Sequence, residues 1–64
     1  MSNALEILTD ELEERVLQLR EWVGGGQAKD YAEYLKTCGE IKGLLLARQN
    51  ILDLKQKMEH SDDE

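Results

Sequence analysis

The chain has 64 residues, one cysteine, one histidine and no proline, and 14 acidic against 8 basic side chains give it a net charge of −6. A domain this small buries only about 60% of the surface its unfolded chain exposes and ordinarily relies on disulfides, a metal or partner chains; Cys38 alone makes no internal bridge, and Cys38 with His60 falls short of a zinc ligand set, so a homo-oligomer is expected. The acidic balance disfavours nucleic acid, no apolar run approaches the roughly 20 residues of a membrane span, and the start "MSNALEILTDELEE" lacks the regions of a signal peptide, which makes the cytoplasm the default location.

The first element is a helix predicted over about residues 3–23. Leu5, Leu8, Leu12, Val16, Leu19 and Val23 recur at three- and four-residue intervals and line one stripe. Asn3 and Glu6 have the spacing of a capping box. Trp22 flanks the stripe near its end and Arg15 flanks its middle, while six acids occupy other faces and, with Arg15 and Arg20, give the helix a charge of −4. Gly24, Gly25 and Gly26 then terminate it, because glycine enters the left-handed conformation without steric cost.

Asp30 and Glu33 read as the next capping pair, opening a second helix predicted over about residues 30–59 and about 45 Å long. Its charge is +1. Two apolar stripes lie side by side on it: Tyr34, Cys38, Ile41, Leu45 and Leu52 in one, and Leu44, Ala47, Ile51, Leu54 and Met58 in the other. "HSDDE", residues 60–64, reads as an acidic flexible tail.

A short connection makes the two helices antiparallel neighbours, so the expected fold is all-α: a hairpin over residues 1–59 that oligomerises into a helical bundle with coiled-coil packing. Counting outward from the turn pairs Trp22 with Tyr31, Leu19 with Tyr34, Arg15 and Val16 with Cys38, Leu12 with Ile41, Leu8 with Leu45 and Leu5 with Arg48. The intrachain core is then Leu5, Leu8, Leu12, Val16, Leu19, Trp22, Tyr34, Cys38, Ile41 and Leu45. Ile51, Leu52, Leu54 and Met58 extend past the first helix, which marks Gly39, Gly43, Leu44, Ala47, Ile51, Leu54 and Met58 as the oligomer interface. Ala32, Gly39, Gly43 and Ala47 also form a strip of small residues. A close crossing between chains, a break at residues 38–40, and glycines that are merely tolerated all fit this strip.

No catalytic constellation is visible, and neither a cofactor nor a metal is expected. Cys38 is six helical turns from His60 and reads as a buried thiol rather than a nucleophile. The glutamates of "DELEER" read as a solvated face. Arg48 sits in a seam and is expected to lay its stem on the core and reach a carboxylate such as Glu6. Tyr31 and Tyr34 are expected to plug the turn end rather than stack on bases.

The stretch "YAEYLKTCGEIKGLLLARQNILDL", Tyr31 to Leu54, resembles small uncharacterised proteins that tailed bacteriophages encode among their virion-assembly genes, through a tyrosine, "CG", "I", "GL", "AR" and "I-DL" at matching intervals. That resemblance implies a helical hairpin that assembles with itself or with head or tail components, in the host cytoplasm or the virion, and it brings no catalytic residues. The expected function is therefore a non-enzymatic, self-assembling structural or accessory protein. The alternative is a small acidic regulator of one host or phage protein, and a hairpin dimer that binds RNA conflicts with the charge.

Overall fold

A computed structural model describes residues 3–61 as two helices, α1 (Ala4–Gly24) and α2 (Tyr31–Ser61). His60 and Ser61, expected in the tail, belong to α2, and residues 62–64 of that tail lie outside the described residues. Ion pairs join Glu6 to Lys55, Glu13 to Arg48 and Arg15 to Glu40. One number falls as the other rises, so the helices are antiparallel.

Each helix begins as its cap residues dictate. Asn3 is extended, and its Oδ1 accepts from the Glu6 amide at 2.9 Å. Glu6 does not return the bond in the manner of a full capping box; its carboxylate is held by Lys55 at 3.1 Å. At α2 the glutamate does reach back, but to the amide one residue before the cap. Asp30 Oδ1 accepts from the Glu33 amide at 2.8 Å, and Glu33 Oε1 accepts from the Lys29 amide at 3.0 Å. Each of these caps satisfies backbone donors that have no intrahelical partner.

The three glycines are not equivalent. The Gly26 amide donates to the Val23 carbonyl at 3.1 Å and the Gln27 amide to the Trp22 carbonyl at 3.4 Å, the paired bonds of a Schellman ending. Gly26 alone has a positive φ, +74°, and a Cβ on Gly24 meets nothing within 4 Å. Gly39 and Gly43 lie within an unbroken α2, so no helix break occurs there, and a Cβ on either also meets nothing within 4 Å.

The register differs from the one counted outward from the turn. Arg48 meets Glu13 rather than Glu6, and Lys55 takes Glu6 instead. This slides α2 about two helical turns along α1. Residues 25–30 are long enough for α2 to start beyond the end of α1, so the uncovered length lies at the Tyr31 end. Asn3 and Leu5 share a shallow groove with Lys55, Met58 and Glu59. Ile51 and Leu52, expected to lie past α1, are half-buried.

The contact seam is also rotated. On α1 the least exposed side chains include Leu5, Thr9, Leu12, Val16, Leu19 and Val23, with Thr9 in place of Leu8. On α2 they include Thr37, Ile41, Leu44, Arg48, Ile51 and Lys55, along the border between the two apolar stripes. Thr9 and Thr37 fit because each hydroxyl donates to the carbonyl four residues back, Leu5 at 2.8 Å and Glu33 at 3.1 Å. Among the described residues only Val16 (4% exposed) and Thr37 (7%) are buried. Of the expected core, Leu5, Leu12, Leu19, Trp22, Cys38 and Ile41 are half-buried, whereas Leu8, Tyr34 and Leu45 are exposed and leave it.

Because only Gly26 requires a left-handed backbone, Gly26→Ala is expected to cost about 1 kcal/mol of stability in urea unfolding. Gly24→Ala, in ordinary helical conformation with open space around it, is expected to cost nothing or to stabilise by up to about 1 kcal/mol.

Candidate self-association surface

With α1 seated on the border between two stripes, an apolar margin is left uncovered on each side of it. The sides are told apart by their ion pairs. On the α1 wheel Glu13 and Arg15 lie to opposite sides of the Leu12–Val16 seam, as the 100° step between successive residues requires.

The Glu13 side is closed more completely by charge. Arg48 Nε donates to Glu13 Oε1 at 2.6 Å, and Lys55 Nζ reaches Glu6 Oε1 at 3.1 Å. Glu13, Val16, Leu17, Arg20, Leu45 and Arg48 line a shallow groove between these helices. Beyond it Tyr31 and Tyr34 lie past the end of α1. They are exposed and stacked on each other, with ring centroids 6.1 Å apart and planes 18° from parallel, so they do not plug the turn as expected. The register shift is the reason, since it sets Trp22 beside Thr37 in a different groove.

Cys38 is half-buried rather than buried, beside Tyr34 on this margin. Hydrogen bonding with the Cys38 side chain, and next its electrostatic interaction with that side chain, raise the Tyr34 phenol above its ordinary 10.0.

The Arg15 side has one ion pair, Arg15 Nη2 to Glu40 Oε2 at 3.3 Å, with both side chains about half exposed. Such solvated pairs contribute roughly 0–1 kcal/mol each. Toward the start of α1 this side presents Leu8 (42% exposed), Leu54 (48%) and Met58 (55%), next to half-buried Ala47 and Ile51. Toward the end of α1 it has a shallow groove lined by Arg15, Gln18, Leu19, Trp22 and Thr37.

The expected interface residues are therefore divided. Leu44, Ala47 and Ile51 are half-buried at or beside the seam with α1, whereas Gly39, Gly43, Leu54 and Met58 are exposed. Leu8 and Trp22, assigned from the sequence to the intrachain core, lie on the Arg15 margin instead, Leu8 exposed and Trp22 half-buried. Their signal was present in the series Leu5, Leu8, Leu12, Arg15, Leu19, Trp22, which keeps the same three-and-four spacing one step around the helix.

Among the described residues no group of three or more histidines, cysteines and acids is placed to hold a metal ion. No described helix is long and apolar enough to cross a membrane. Comparison with family models, with curated proteins and with solved structures finds no match.

Replacing Cys38 with Ala in a Tyr31→Phe background is expected to bring the Tyr34 phenol back down toward 10, read by ultraviolet titration. Since that phenol is raised in the fold, its neutral form is the favoured one. The linked stabilisation is fully present below the unfolded value near 10 and is lost as pH rises through the higher folded value.

Proposed function

We propose that this chain is a non-enzymatic, self-assembling helical protein, with the hairpin as the building unit of a larger bundle. The observation that carries the reading is the imbalance of burial. Among the described residues two side chains are buried, while ten large apolar or aromatic ones are exposed. Full burial of one such side chain contributes roughly 1.5–3 kcal/mol, and a single core in a chain this short seldom supplies more than about 3–5 kcal/mol. Covering even a few of the exposed residues outweighs what the hairpin obtains alone.

The resemblance of Tyr31–Leu54 to small tailed-phage proteins gives the assembly its setting: a minor virion or morphogenesis component, made in the host cytoplasm and retained in the particle or used while it is built. Its partners are copies of itself and head or tail proteins. A second reading, a small acidic regulator of one host or phage protein, draws on the exposed acids Asp10, Glu14 and Glu21 of α1.

Light scattering coupled to size exclusion is expected to find the pure protein as a multiple of the single-chain mass at micromolar concentration. A folded monomer at that concentration would overturn the assembly reading. A homo-oligomer that dissolves into a stoichiometric complex with one host or phage protein would favour the regulator.

A further inference from the structure

We draw no further inference here: the strongest candidate, the apolar margin that α1 leaves uncovered on the Arg15 side with Leu8, Leu54 and Met58 exposed, carries nothing, because the Glu13 side exposes at least as many large apolar side chains in Leu17, Tyr31, Tyr34 and Leu45 and nothing in the structure shows what covers either.

Discussion

The width of the apolar arc on α2 is the constraint on which the rest of the structure depends. A helix that buries one face needs a single stripe, and α2 carries two adjacent ones. With one helix to cover them, α1 settles on their border, where it half-buries Ile41 and Leu52 from one stripe and Leu44 and Ile51 from the other. Neither stripe is finished by this compromise. Among the described residues the buried set shrinks to Val16 and Thr37, and the margins carrying Tyr34 and Leu45 on one side and Leu54 and Met58 on the other remain exposed.

Charge sets the register within that constraint. Glu6 and Glu13 are spaced seven apart on α1, as are Lys55 and Arg48 on α2, and the antiparallel slide that matches these pairs places the start of α1 beside the end of α2. Exposed ion pairs contribute little energy apiece, yet a consistent set discriminates between registers that bury similar apolar area. The remaining length of α2 consequently lies at its own N-terminus. There Tyr31 and Tyr34 stack on one another beyond the reach of Trp22.

Much of the fold was legible from local chemistry. Helix type, the Asn3 and Asp30 caps and the glycine ending follow from residue identity and short-range spacing, and the observed boundaries agree with expectation to within one or two residues, the usual uncertainty of a helix end. Register was not legible. A six-residue connection imposes no single offset, so counting outward from the turn placed Arg48 opposite Leu5 when its carboxylate is on Glu13. The rotation of α1 was hidden for a different reason. Leu8 reads as more apolar than Thr9, but Thr9 returns its hydroxyl to the Leu5 carbonyl and so enters the seam at little cost, which releases Leu8 to the Arg15 side. The exposed margin was consequently legible only in part: the spacing set Leu54 and Met58 outside the intrachain core, whereas Leu8 was counted within it until the seam was located.

Gly39 and Gly43 fit this account without carrying it. Each costs about 1 kcal/mol relative to alanine in a helix interior, and among the described residues nothing lies within 4 Å of where a Cβ would sit. Their open positions on the outer half of α2 are compatible with close approach of a second backbone. The central claim, that the hairpin is stable chiefly through cover supplied by other copies, is tested most directly by thermal unfolding over a hundredfold range of chain concentration. The account predicts a Tm that rises steadily with concentration, as mass action requires when folding and association are linked. A Tm independent of concentration, with two-state unfolding of a single chain, would contradict it.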